Sequence, residues 1–256
     1  MVLCLNRHLI VINDKLMMWE LPVELFNSFK EVYILTYLFE GSIQKPYFDL
    51  FDVEYEYLSI EKGKLIPYKS TPKELKQEIM DLINLVDNPK LNSIGDNYYA
   101  LSASWFENNI KKNSVYSDSL RKSTTNFFKN ICKGNATENL ISTFSEYYNT
   151  IKDKGWSNKN TSFLVFNKKA TNDYIHKKNL AYLINIFPHS GFTMYFNNRM
   201  NGKVSIDNDM YALSIMIQWI WRSRIRNQQL SYEDRKINLY LPSKRMREIL
   251  LKWLNQ

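Results

Sequence analysis

The sequence predicts an α/β fold: a mostly parallel sheet interrupted by a helical insertion. Three observations predict it. Val32-Tyr-Ile-Leu-Thr-Tyr-Leu-Phe39 is apolar on both faces, as a central strand covered from both sides would be. A helix over 43–51 and an alternating strand over 53–60 follow it, and strand, helix, strand in that order is a βαβ unit with a parallel pair. Residues 161–256 then return to short apolar runs alternating with helical ones, after a stretch of different texture.

Taken in order, residues 1–60 form a strand-rich entry segment. Leu9-Ile-Val-Ile12 is a short strand, Asn13-Asp14 a turn signal, and Leu16 to Trp19 a second strand, which together read as a small hairpin. Pro22 opens a helical stretch through Phe29, as suits proline in a first turn. The central strand ends in the loop Glu40-Gly41-Ser42. In the next strand Val53, Tyr55 and Tyr57 share one face, and Glu54 and Glu56 the other.

Residues 61–160 are expected to be a helical insertion. Pro67, Pro72 and Pro89 punctuate it, Leu75, Ile79, Leu82, Ile83 and Val86 have helical spacing, and further helices are expected over 98–111, 117–132 and 137–152. Residues 161–256 form the second α/β part. Ser162 to Phe166 is a strand, 167–172 a loop, 173–186 a helix, and 209 to about 227 a long helix served at its start by Asp207 or Asp209. Ile237-Asn-Leu-Tyr-Leu241 is a strand, and Ser243 caps a final helix. The three segments are expected to make one globular unit.

Composition narrows the function classes. With 256 residues and 45% apolar content the chain can bury a sizeable core. Net charge is +8, which favours a polyanionic partner where the charge clusters. It does cluster: from Gln218 to Lys252 nine Lys or Arg face three Asp or Glu. Two cysteines and three scattered histidines, with no C-x-x-C, argue against a zinc site or a disulfide scaffold and for a reducing cytoplasm. No apolar run reaches membrane-spanning length, and no signal peptide is read at the start.

The chemistry is sought first on the long helix. Leu213, Met216, Ile217, Ile220 and Trp221 form one apolar stripe. Gln218, Arg222 and Arg226 fall on the opposite face one turn apart, and Arg224 nearer the buried edge. Such a stripe is either a solvated basic face or an anion site.

The run Gln218-Trp-Ile-Trp-Arg222-Ser-Arg-Ile-Arg226 resembles motif VI of superfamily 2 helicases, whose pattern is Q-x-x-G-R-x-x-R. With Ile237 to Arg247 and Trp253-Leu254 it looks like the end of the DEAD/DEAH-type helicases of phages of low-GC Gram-positive bacteria. Phe29 to Gln44, Asn167 to Asn172 and Asn179 to Asn185 resemble the same family. The resemblance implies a RecA-like lobe, the second of two that close on ATP. It also implies that Arg222 and Arg226 reach the γ-phosphate, where a planar guanidinium stabilises developing charge, and that Gln218 positions the nucleotide. Thr36 and Gly41-Ser42 would couple ATP to DNA, and Thr171 and Asn172 would face nucleic acid.

No G-x-x-x-x-G-K-[ST] occurs, and no D-E-A-D-like pair follows an apolar strand. The expectation is therefore a C-terminal helicase lobe that is not an ATPase alone, with ATP and Mg only where a P-loop-bearing partner chain supplies them. Its expected partner is DNA, single- or double-stranded, met through the backbone by Lys244, Arg245 and Arg247 as well, in the host cytoplasm. Tyr174, Tyr195 and Phe196 are either core residues or stacking platforms for bases.

Two rivals remain. Asp49, Asp52, Glu54, Glu56 and Lys62 contain the residue types of a metal-dependent nuclease but in no matching order, and an edge strand's wet face explains them more simply. A phage protein-binding factor, an inhibitor or decoy of a host protein, would instead use Arg222 and Arg226 as interface anchors. His176 reads as a surface residue. Cys132, beside Lys133, has no identifiable base and is assigned no role as a nucleophile.

Overall fold

The hairpin expected at the start of the chain forms. Leu9–Ile12 (β1) pairs antiparallel with Leu16–Trp19 (β2), Leu9 opposite Trp19. This is a computed structural model, and it describes residues 9–12, 16–112, 114–157, 163–168, 171–200 and 205–256. Two short helices follow, Glu24–Asn27 (α1) and Gln44–Leu50 (α2), both within the stretches expected to be helical. A second hairpin pairs Leu58–Glu61 (β3) with Lys64–Pro67 (β4).

Here the structure corrects the expected βαβ unit. Residues 31–36 have no regular structure, Leu38 lies in the left-handed region, and Leu35 is 93% exposed, so the apolar run 32–39 is not a covered central strand. The strand that follows starts at Leu58 and pairs with the next one along. Lys62 and Gly63, at φ 48° and 76°, close that hairpin in two residues. A two-residue turn with positive φ at both positions suits the strand twist and costs little loop entropy, so the local antiparallel partner wins over a distant parallel one.

The chain divides into two units, residues 1–70 with 187–214 and residues 71–186 with 215–256. The second opens with Lys73–Leu82 (α3), which runs directly into Ile83–Leu85 (β5). Ser114–Asn126 (α4) continues through a π-turn over Phe127–Cys132. Then come Asn139–Ser142 (β6), Tyr148–Ile151 (α5) and Asn179–Tyr182 (β7). In the first unit lies Ser190–Met200 (α6). Asn208–Ile220 (α7) begins in the first unit and ends in the second, where Ile237–Tyr240 (β8) and Lys244–Leu254 (α8) complete the chain.

β5, β8, β7 and β6 form, in that order, a four-stranded sheet in which every pair is parallel. This is an α/β sheet as the sequence predicts, built from partly different strands. Two of its strands, β5 and β6, lie in the stretch expected to be helical. β7 lies where a helix over 173–186 was expected: 173–176 is a turn, and Leu180 to Ile184 are all fully buried. A short run buried on every side carries no periodicity that separates strand from helix. The strand expected over 162–166 is reduced to one parallel bridge, Phe163 to Ile141, and Ser162 lies outside the described residues.

One polar line crosses the sheet. Asn84 Nδ2 donates to Asn238 Oδ1 (2.8 Å), Asn238 Nδ2 to Asn179 Oδ1 (2.8 Å), and Asn179 Nδ2 to Asn139 Oδ1 (3.0 Å). Asn139 Nδ2 ends the line on the Trp156 carbonyl at 3.2 Å. All four stand in register on neighbouring strands, so each amide satisfies the next. On one side of the sheet Phe106, Leu120, Phe127, Phe128 and Trp156 pack with Ile141 and Tyr240 into the main core. The first unit has its own core, built on Ile12, Tyr195 and Phe196.

Candidate nucleic-acid interface

Asp207 caps α7, its Oδ1 accepting the backbone N–H groups of Asp209 and Met210 at 2.9 Å each. The helix was expected to run to about Asn227. It stops at Ile220, because the buried Ser223 hydroxyl donates back to the Ile220 carbonyl (2.7 Å) and its backbone turns extended. The Arg224 N–H then donates to the Lys177 carbonyl (3.0 Å), just before β7. Trp219 anchors this corner, donating through Nε1 to the Leu164 carbonyl (3.0 Å) and meeting Tyr182 edge-on.

Past the helix the chain alternates. Ser223 and Ile225 are fully buried, whereas Arg222, Arg224 and Arg226 are half-buried. The three arginines are therefore presented by a tight turn and a 3-10 segment, Arg224–Arg226, and not by the helical face expected for Gln218, Arg222 and Arg226. Gln218 stays behind, half-buried on the last turn of α7. Arg235 braces the turn, Nε donating to the Ile225 carbonyl (2.9 Å) and Nη1 to Glu78 (3.1 Å).

The arginines differ in what they touch. Arg224 Nη2 lies 3.3 Å from Glu138 Oε1 and donates to the His176 carbonyl. Arg226 Nη2 donates to the Thr171 carbonyl (3.0 Å) and to Asn172 Oδ1, so the expected loop residues and one expected arginine do meet. Among the described residues no carboxylate lies within salt-bridge distance of Arg222 or Arg226, and the Nε of each is buried without a hydrogen-bond acceptor. Burial, and next the charge of Arg222, hold the Arg226 pKa below its ordinary value.

The field around the turn is positive. Burial lowers the His176 pKa, and Lys177 and Arg224 lower it further. Burial brings the Lys177 ammonium down to about 8; it donates to the Thr137 carbonyl. Sequence reasoning missed Lys177, since a lysine beside a histidine and a second lysine reads as surface. Such a cluster, in which Glu138 pairs with Arg224 alone among the described arginines of the turn, is suited to an anion and above all to a phosphate, which guanidinium groups clasp with two parallel bonds.

The other expected contacts lie at the opposite end of β7. Arg245 is 2% exposed and donates to Asn185 Oδ1 and the Ile186 carbonyl, so it is an internal tie and not a surface cation. Arg247 Nη1 donates to the carbonyls of Leu241 (2.8 Å) and Pro242 (2.6 Å). Lys244 alone is exposed, 4.0 Å from Glu248. From Lys177 to Asn185 the extended chain spans on the order of 25 Å, so the two groups do not share one site.

In the first unit the backbone of Gly41 presses on α7: a Cβ there would lie 2.1 Å from the Met210 carbonyl oxygen. Thr36 is exposed in the irregular stretch. Of the nuclease-like acids, Asp49 pairs with Lys45 at 2.6 Å and accepts the Tyr55 hydroxyl. No three His, Cys, Asp or Glu converge as a metal site among the described residues. Nor is any described helix long and apolar enough to cross a membrane.

Residues 77–254 match the YonV C-terminal Rossmann-like domain. The chain belongs to that family. The match covers the parallel sheet and the arginine turn together. The chain is also 39% identical, over 253 residues, to the SPbeta prophage-derived uncharacterized protein YonV of Bacillus subtilis (strain 168). That alignment takes in 97% of this chain and 58% of the relative's length, so the chain spans a little over half of the curated protein it matches. No solved structure matches. The family and the sheet agree on a Rossmann-like α/β fold.

Proposed function

We propose that this Rossmann-like domain engages the phosphate backbone of DNA through Arg222 and Arg226, as the C-terminal lobe of a helicase-type phage protein. One observation carries the reading: two guanidinium groups close enough for one to depress the other's pKa, with no carboxylate paired to either among the described residues. A like-charge pair held half out of water is costly unless an anion relieves it. Thr171 and Asn172 flank Arg226 and would add neutral hydrogen bonds to the same phosphates. Lys244 is an outlying cation, and Arg245 and Arg247 drop out of the interface.

The chain has no P-loop. ATP and Mg would enter only with a partner lobe that bears one, and in that assembly the γ-phosphate would take the place of a DNA phosphate at Arg222 and Arg226, beside Gln218. The resemblance to motif VI supports this assembly, as does a relative considerably longer than the chain. The compartment that goes with it is the host cytoplasm.

The test is fluorescence anisotropy with labelled single- and double-stranded DNA from about 50 to 200 mM salt. Affinity should fall steeply with salt. Arg222→Ala/Arg226→Ala should lower the slope of log K on log salt by about two, at unchanged melting temperature. Absence of binding at the lowest salt would remove the DNA reading and leave the arginine turn as a contact for a host protein.

A further inference from the structure

The first unit contains a cleft of about 220 Å³ that the arginine turn does not use. Its floor and walls come from the end of β2, from α1 and α2, and from α6. Seven of the twelve lining residues are aromatic: Trp19, Phe26, Tyr47 and Phe48 from the N-terminal segment, and Phe192, Tyr195 and Phe196 from α6. One lining residue is charged, and it is an acid. Glu20 is 8% exposed.

That carboxylate is held firmly. Oε1 accepts the Tyr195 hydroxyl and one Arg199 contact at 3.1 Å, and Oε2 accepts Arg199 at 2.8 Å. A carboxylate offers about four lone-pair sites, so Oε2 keeps one. Arg199 has a side chain 43% exposed and does not line the cleft, whereas Glu20 does. The cleft is therefore lined by aromatic rings, whose faces carry negative quadrupoles, and by an acid whose one cationic partner, Arg199, lies outside the lining. Burial pushes the Tyr47 hydroxyl up to about 12, and the charges of Glu20 and Glu24 push the same way. Its proton is committed to the Leu21 carbonyl.

We propose that this cleft binds a compact organic cation, an alkylated ammonium or a guanidinium group, between its aromatic rings and Glu20. A neutral apolar guest gains no electrostatic attraction from Glu20 or from the rings. A cation can gain both, from the one acid of the lining and from its seven rings. A compact alkylated ammonium group fits within a cleft of about 220 Å³.

The experiment titrates the full chain with choline and with 3,3-dimethyl-1-butanol, its uncharged isostere, following tryptophan fluorescence and calorimetry. Choline should saturate, and the alcohol should bind at least about tenfold more weakly. Glu20→Gln should erase that preference. Because Glu20 also ties Arg199, a melting curve accompanies this variant, and Trp19→Ala on the 62%-exposed rim serves where it does not fold. That second variant should weaken choline severalfold at unchanged melting temperature. Phosphatidylcholine vesicles and a peptide carrying trimethyllysine, run alongside, distinguish a headgroup or a side chain from a free amine. Equal binding of alcohol and choline overturns the proposal, as does no saturable binding of any cationic carrier or an unaltered response in Trp19→Ala.

Discussion

Arg245 Nη1 donates to Asn185 Oδ1 and to the Ile186 carbonyl, each at 2.8 Å, and so ties the first turn of α8 to the exit of β7. Asn185 passes the tie on. Its Nδ2 donates to the carbonyls of Tyr98 and Ala100, and its N–H to that of Leu101, a fully buried residue at φ 63°. Losing the guanidinium would strand these two buried acceptors. Arg245→Met should therefore cost about 3 kcal/mol in urea denaturation. DNA affinity and its salt slope should not change in the folded variant, and a lost slope at full stability would restore Arg245 to the interface.

What could be read from the sequence follows from how local each signal is. The β1–β2 hairpin, α2, the Ser243 cap on Met246 and the Asp207 cap all depend on neighbours a few residues away, and all are found. The sheet is different. β7 is four residues with no exposed position, and its partners lie 40 and 59 residues off, so nothing within it announces a strand. The arginine turn was legible in residue type and not in shape. Its spacing fits a helix, and only the hydroxyl of Ser223 on Ile220 shows why the helix ends first. Arg245 misleads for a related reason: a cation in a first helical turn reads as surface unless its distant acceptors are known.

The asparagine line makes a sharp demand on Asn179, which both donates to Asn139 and accepts from Asn238. Asn179→Leu leaves both neighbours unsatisfied in a position 1% exposed. It should lower the urea midpoint by an amount equal to about 2–4 kcal/mol at unchanged m-value. A Leu variant as stable as the parent would mean that the line contributes nothing to the sheet.

Lys177 predicts a pH dependence. Its folded pKa is lowered by burial to about 8 from an ordinary value of 10.5. Between those values the unfolded chain binds more protons than the folded one, so this group makes stability rise with pH, and its penalty is fully present below about pH 8. Cys132, whose thiol burial pushes up to about 12 from 9.0, works in the opposite sense above pH 9. The difference between parent and Lys177→Met cancels that contribution. Denaturation at about pH 7.5, 9 and 10 should show the Met variant gaining relative stability at the lowest pH and losing that gain as pH rises. A pH-independent difference would show that Lys177 titrates normally.

Glu138 is the acid that separates Arg224 from its two neighbours. Its carboxylate sits 3.3 Å from Arg224 Nη2, with side-chain exposures of 31% and 17%, so the pair is only partly screened. In the proposed interface it has two opposing effects: it holds Arg224 in place, and it repels the phosphates that Arg222 and Arg226 attract. Glu138→Gln keeps an acceptor for Arg224 and removes the repulsion. DNA affinity at low salt should rise by about three- to tenfold, and the salt slope should steepen by about one as Arg224 becomes free to displace a counterion. In the Arg222→Ala/Arg226→Ala background the same change should do much less, because one guanidinium is then left where three acted together. An affinity that falls in Glu138→Gln while the melting temperature holds would mean that Glu138 itself contacts the ligand, and the anion-binding reading of the turn would fail.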